Sequence, residues 1–366
     1  MSPSLMKIRD MDKSPENREV WDEIVHASTE GWLWATYTMH KFRVSYAEAR
    51  NCLICDRSFI VLCDDQPCGI VPLVFNRDEY GDIVASHFDA PLPWPMIRAD
   101  AADRAEIETV MFDEIERRIA GEKAVALRFI LSPPHRSDQL IGAFAKIVRE
   151  RSFVDTSFQS HCITLTPNML GSVRERYQRD VRKYSDAYEM SILDSTKCSD
   201  DLAQFYMDLH VADAGRVNRP LITYELQVDL VRNGEGFFVL AHKKDVGKIV
   251  GMLLVGVYKG AAYDSSVAVD PAFKREPVSH LMKWKALQHL AEIGVGHYEL
   301  GMRAFTPSYL QQPSQKKYGI SFFKDGWSRG LTKTVWLAEK FYSRAAFTKF
   351  WDERRECALN HFGIQE

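Results

Sequence analysis

The stretch from Phe237 to Gly301 limits what this chain can fold into more than any other. Residues 237–241 form an apolar run rich in β-formers, followed by a polar turn that ends in Gly247. Residues 249–257 are a second such run, Lys259-Gly260 turns the chain, and 261–267 is a third. Asp270-Pro271 stops the sheet. Residues 277–293 then change to helical spacing, with Leu281, Trp284, Leu287, Leu290 and Ala291 on one face. Gly294 suits a helix C-terminus, and 297–301 reads as a last short strand. The expectation is an antiparallel meander, a crossover helix and one more strand.

The first half repeats this pattern, which reads as an internal duplication or, more plainly, as two unrelated hairpins that look alike. Residues 58–73 and 236–253 each give an apolar strand, a polar turn and a Gly/Ile/Val strand. Each is followed by a long amphipathic helix and a short strand: 100–120 into 124–131, and 277–293 into 297–301. The helix 100–120 turns Ile107, Val110, Met111, Ile115 and Ile119 inward, with Gly121 at its end. Further helices are expected after a Ser14-Pro15 start, over 35–49, 140–149, 201–213 and 223–233, and one beginning at Thr166-Pro167. Pro91, Pro93 and Pro95 mark a rigid extended loop. The fold class is α/β (α+β), with two similar halves, each a mixed, largely antiparallel sheet flanked by helices. The expected domains are 1–160, 161–335 and a C-terminal helical segment, 336–366, packing back on the first half.

The composition is that of a soluble globular protein: 366 residues, 46 % hydrophobic, 27 % charged, formal net charge −3. No apolar run reaches the roughly 18 residues of a membrane span, and the N-terminus has no secretory apolar core, so a cytoplasmic location is expected. A membrane surface stays compatible as a partner. The slight acidity argues against a nucleic-acid-coated surface and against DNA, while leaving room for a local basic groove. Seven cysteines, an odd number, suit reduced thiols. Cys52, Cys55, Cys63 and Cys68 have a superficial zinc spacing, but the residues between them read as a buried strand, so no metal is expected.

Several motifs occur in order along the second half: Arg179, Arg182 and Lys183 in a central helix, Tyr263-Asp264-Ser265-Ser266 in a strand, the helix ending at Gly294, and a run from Tyr318 through Phe323-Lys324 to Trp327. Together they resemble the Fem-type aminoacyltransferases and the related BioF2-like acetyltransferase group of the GNAT superfamily. The resemblance is strongest over 165–330. It implies two GNAT-like halves, an acyltransferase activity and no tightly bound cofactor. It also implies that Lys324, preceded by Phe323, stabilises developing negative charge. The donor it implies is aminoacyl-tRNA or acyl-CoA.

The residues themselves support part of this. Lys324 follows the apolar run 320–323 and is expected at the end of a buried strand, where a desolvated cation can offset an oxyanion; a surface lysine on an edge strand is the plainer reading. Glu299 is a candidate proton acceptor for an attacking amine, and Arg303 a candidate holder of a phosphate or carboxylate; the two also suit a mutual ion pair. Asp264 interrupts a core-like strand and needs either a substrate or a partner. Tyr318 is a candidate for orienting substrate, with a core tyrosine the plainer reading. Arg176, Arg179 and Lys183 line one helix face that suits a tRNA acceptor end or plain solvent. His210, His280 and His289 stand singly on helical patterns and read as structural.

The turn before the long helix, 269–280, contains no glycine, and Pro277 removes an N–H donor. A pyrophosphate cradle of backbone amides is therefore disfavoured. The expected reaction is direct attack of an amine on an activated acyl group. The expected acceptor is a small cell-envelope or polysaccharide precursor, such as a nucleotide-linked sugar or peptide. The rival readings are an acetyl-CoA-dependent N- or O-acetyltransferase and a non-catalytic precursor-binding protein.

Overall fold

The computed structural model describes residues 5–11, 15–88, 90–131, 138–166, 169–304 and 314–362. The Ser14 cap and the Pro167 helix start lie outside them. The chain divides into two compact units. One is drawn from Met1–Phe158 and Thr334–Glu366, the other from Gln159–Thr306 and Pro313–Lys333.

In the first unit, the helix Pro15–Ala27 buries Trp21, Ile24 and Val25 completely. The hairpin Phe59–Cys63/Gln66–Val71 is antiparallel, flanked by Met6–Asp10 on one side and Met96–Ile97 on the other. Its turn residues Asp64 and Asp65 both have positive φ, 50° and 65°, the conformation a tight hairpin turn requires. The edge strand Met6–Asp10 was not legible in advance. Cys63 and Cys68 face each other across this hairpin as a disulfide, with Cα atoms 6.0 Å apart. That corrects the expectation of reduced thiols for this pair: the tight turn brings the two residues within bridging distance. Among the described residues no group of three or more His, Cys, Asp or Glu is placed to hold a metal.

The helix Arg104–Glu122 buries Ile107, Met111, Ile115 and Ile119 as expected, but it runs through Gly121 and ends at Lys123 in the left-handed region, φ 56°. Leu92–Pro93, expected as loop, pairs in parallel with Ala126–Leu131. The Gly/Ile/Val strand of the first half ends at Val71, and a separate strand, Val74–Arg77, follows it. A further correction concerns the C-terminus. The strand Thr332–Phe341 runs into the segment 336–366 expected to be helical and pairs antiparallel with Ala126–Leu131, so the last helix is Arg344–Phe362. Pairing of residues 336–341 with Ala126–Leu131 keeps them extended. Phe350 packs on Phe341 at 4.8 Å between ring centroids.

The second unit realises the meander. Strands Gly236–Lys243, Lys248–Tyr258 and Ala261–Val269 are antiparallel neighbours. Tyr188–Leu193, not anticipated, pairs antiparallel with Gly236–Lys243. The helix Val278–Glu292 crosses over to His297–Met302, which pairs in parallel with Ala261–Val269, and Phe158–Thr164 pairs antiparallel with His297–Met302 on its other side. The crossover helix covers one sheet face with Leu281, Met282, Ala286, Leu287 and Leu290. Helices Leu202–Ala214 and Leu221–Arg232 cover the other through Tyr206, Leu209, Tyr224 and Val228. Trp284 is only half-buried and Ala291 is exposed, whereas Lys283 is buried among the apolar residues.

The segment around Lys324 is the largest correction. It is not the end of a strand but a helix, Gln315–Ser328, capped by Ser314, whose hydroxyl accepts from the Lys317 N–H. A four-residue apolar run cannot by itself distinguish strand from helix. Here the three- and four-residue period decides: Ser321, Trp327 and Ser328 are buried, with Lys324 half-buried between them.

Candidate active site

The parallel pairing between Ala261–Val269 and His297–Met302 covers three residue pairs and ends at Tyr263 with Glu299. Beyond that point the candidate chemical groups collect. A bulge between Leu254 and Val255 of the neighbouring strand shifts the register at Ser265, so Val255 faces Asp264 while Leu254 faces Ser266. Asp264 then turns toward the crossover helix. Its Oδ1 lies 2.6 Å from Lys283 Nζ, and the Tyr298 hydroxyl donates to the same oxygen at 3.2 Å. Lys283 Nζ also donates to that hydroxyl at 2.9 Å. Asp264 therefore has a protein partner, and the pair is an ion pair in an apolar setting.

Lys283 was missed from the sequence, yet its position carried a signal. It shares the helical face of Ala286, Leu287 and Leu290, where a lysine must be paired. Burial pulls its ammonium below the usual lysine range, against the pull of Asp264. Burial likewise pushes the Tyr298 hydroxyl well up, and Asp264 adds to that.

Lys324 reaches the same place from its helix. Its Nζ would lie 2.7 Å from a Cβ on Gly301, whose φ is +96°. Only glycine gives the backbone that shape and leaves the amine this room. Burial lowers the Lys324 amine, while the carboxylates of Asp264 and Glu299 act to raise it. Glu299 is pushed up by burial, opposed by a hydrogen bond from Ser160 Oγ at 2.7 Å and by Lys324. The unit thus brings Lys324, Asp264 and Glu299 into one electrostatic neighbourhood. Glu299 takes its hydrogen bond from Ser160. The Arg303 N–H donates to the Gln159 carbonyl, and its guanidinium acts on His161.

The other candidates stand apart from this centre. Phe323 packs in an aromatic group with Tyr177 and His280, at centroid distances of 5.8 and 5.2 Å. Tyr177 also meets Trp327 at 5.4 Å, and Gly326 gives its ring room to approach. Tyr318 is 45 % exposed on the outer face of the Lys324 helix. Arg176, Arg179 and Lys183 are all exposed on the helix Glu175–Tyr184; Arg176 is 4.0 Å from Asp180, and Lys183 sits over the Tyr184 ring. The start of the crossover helix carries Pro277 and, just before it, Glu276, whose carboxylate accepts from Tyr188 at 2.7 Å and Lys243 at 3.1 Å.

A family model described as Acetyltransferase (GNAT) domain matches residues 171–309, the part of the chain that holds Asp264, Lys283 and Glu299. FemX aligns over 93 % of this chain and 99 % of its own, with a TM-score of 0.62 at 14 % identity. L-PGS from Bacillus licheniformis aligns over 93 % and 96 %, with a TM-score of 0.57 at 11 % identity. The DUF2156 C-terminal domain of an Agrobacterium fabrum protein aligns over 92 % and 95 %, with a TM-score of 0.54 at 12 % identity. No curated protein matches the chain by sequence. At these identities the likeness establishes the fold, a chain of two GNAT-like halves. Among the described residues no helix is long and apolar enough to cross a membrane.

Proposed function

We propose that this chain, whose fold is that of the Fem-type GNAT proteins, transfers an acyl or aminoacyl group to an amine by direct attack. The observation that carries this reading is the meeting of Lys324 with Asp264 and Glu299 where the two parallel strands stop pairing. In the proposed reaction the amine nitrogen attacks the acyl carbon and the carbonyl electron pair moves onto oxygen. The Lys324 ammonium offsets that charge. Glu299, its carboxyl raised by burial, takes the proton from nitrogen, a role that a raised carboxyl performs near neutrality. The bond from the acyl carbon to the donor's oxygen or sulfur then breaks, and that atom recovers the proton. Asp264, pinned by Lys283, contributes charge from a fixed place.

The donor that fits best is aminoacyl-tRNA. The entry to the crossover helix presents Glu276 and Pro277 where a CoA pyrophosphate needs amides and no negative charge. Arg176, Arg179 and Lys183 supply exposed cations for an acceptor end, and few phosphate contacts suffice for so short a segment. The GNAT-domain match supports an acyl-CoA donor as the second reading. The proposed acceptor is a small precursor of cell-envelope or polysaccharide synthesis, used in the cytoplasm, with Arg303, Tyr318 and Phe323 as further substrate contacts.

The test is acyl transfer from charged tRNA, with and without ribonuclease, beside the same assay with acetyl-CoA. Transfer abolished by ribonuclease supports the first donor. Transfer with acetyl-CoA alone replaces it with the second. Lys324→Ala must abolish turnover in either case; near-wild-type turnover would remove Lys324 from the chemistry.

A further inference from the structure

Glu299 and Lys324 come from different elements, the strand His297–Met302 and the helix Gln315–Ser328. A third element touches both. In the strand Phe158–Thr164, Ser160 and His161 are consecutive and fully buried. Successive residues of a strand point to opposite sides, so the two serve different neighbours. Ser160 Oγ donates to Glu299 Oε1 at 2.7 Å. The His161 ring spans the helix: Nδ1 is 3.0 Å from Ser328 Oγ and Nε2 is 3.1 Å from Ser321 Oγ. These serines are seven residues apart on one helix face, with Lys324 between them. Ser321 Oγ also accepts from the Ala304 N–H at 2.7 Å, tying the same contact to the chain just past Glu299's strand.

We propose that Ser160 and His161 together are a positioning element, which fixes Glu299 and the Lys324 helix in one register so that both meet the same reacting carbonyl. This rests on Glu299 and Lys324 being the reacting pair. Neither Ser160 nor His161 touches substrate in this arrangement; each acts through the group it holds.

The electrostatics agree with the geometry. Burial lowers the His161 imidazole to about 4, with Asp325 opposing and Lys324 and Arg303 adding to the shift. A neutral ring has one donor and one acceptor nitrogen, which matches two serine hydroxyls, one accepting and one donating. The Ser160 bond favours the charged form of Glu299 against burial.

The test does not need the natural substrate. Lys324 is followed by NMR in protein labelled at lysine side chains, its signal assigned with Lys324→Arg; Glu299 is followed in glutamate-labelled protein. His161→Gln should move the Lys324 midpoint up toward the ordinary lysine value, because the amine leaves its desolvated place beside Gly301. Ser160→Ala should move Glu299 further up, and Ser160→Thr, which keeps the hydroxyl, should leave it near wild type. With a working donor, His161→Gln and Ser160→Ala should each lower kcat about a hundredfold, the scale of a misplacement of about 1 Å, with little change in KM. Unchanged midpoints in folded variants would overturn the proposal. If His161→Gln does not fold, Ser328→Ala removes one of the ring's two bonds, and Ser321→Ala removes the other together with the bond from the Ala304 N–H; each should move Lys324 in the same direction by less, and no movement in either overturns it equally. Turnover surviving Lys324→Ala would instead sink the site assignment, and the midpoints would still judge the positioning.

Discussion

Lys283 Nζ lies 2.6 Å from Asp264 Oδ1, with 4 % and 17 % of the two side chains exposed. This pair keeps a carboxylate fixed beside Lys324 without giving it to Lys324 alone. Lys283→Met removes the closest cation from Asp264 and leaves it only the Tyr298 hydroxyl and the neighbouring Lys324, so unfolding should become easier by about 3 kcal/mol. Adding Asp264→Leu should restore most of that loss. Chemical denaturation of the single and double variants checks this. The same Lys283→Met change removes a like charge near Lys324, so the Lys324 titration should move up in the folded protein.

Gly301→Ala tests the seat of the Lys324 amine. Its φ of +96° strains any residue with a Cβ, and the new methyl would meet Lys324 Nζ at 2.7 Å. The lysine tip is flexible and will move aside, so the stability cost should be mainly backbone strain, about 1–3 kcal/mol. Turnover should fall far more than stability, because the displaced amine is the one proposed to meet the oxyanion. Comparing kcat with the thermal midpoint separates the two; a variant that loses stability but keeps kcat would argue against this seat.

Much of this was legible in the sequence. The meander, the crossover helix and the final strand of the second unit follow from alternation giving way to helical spacing at residue 277, and Gly294 ends that helix with φ 75°. The candidate carboxylates were visible because polar residues in core-like strands need a reason. The helix around Lys324 was not, since Ile320 to Phe323 is too short a run to choose between periods. Ser160 and His161 were not, because their roles depend on partners 139 and 160 residues away. A long-range partner leaves no local pattern. The disulfide was hidden for a different reason: odd cysteine counts say nothing about one tight hairpin.

Gly326→Ala probes the packing behind Phe323. A Cβ there would lie 2.1–2.6 Å from the Tyr177 ring and hydroxyl. That ring is fixed by His280 and Trp327 at centroid distances of 4.3 and 5.4 Å, so it has little room to yield. The expected loss is about 1–3 kcal/mol, as for other overpacked cores. Tyr177→Leu in the same chain should relieve part of it, and a denaturation comparison of the three proteins decides.

Acid should destabilise the second unit through its buried histidines. His161, His210 and His280 are each lowered from 6.5 to about 4, in each case chiefly by burial. The unfolded chain therefore binds protons that the folded chain refuses. The sign follows directly: stability is fully present above about pH 6.5, declines as pH falls, and stops declining through these groups below about 4. Urea midpoints measured across that window should fall with decreasing pH, with up to three protons taken up on unfolding. Replacing His280, which packs among Tyr177, Phe323 and Trp327, with Phe removes one of the three groups. The slope should drop accordingly. An unchanged slope in His280→Phe would mean that His280 already binds its proton in the folded chain.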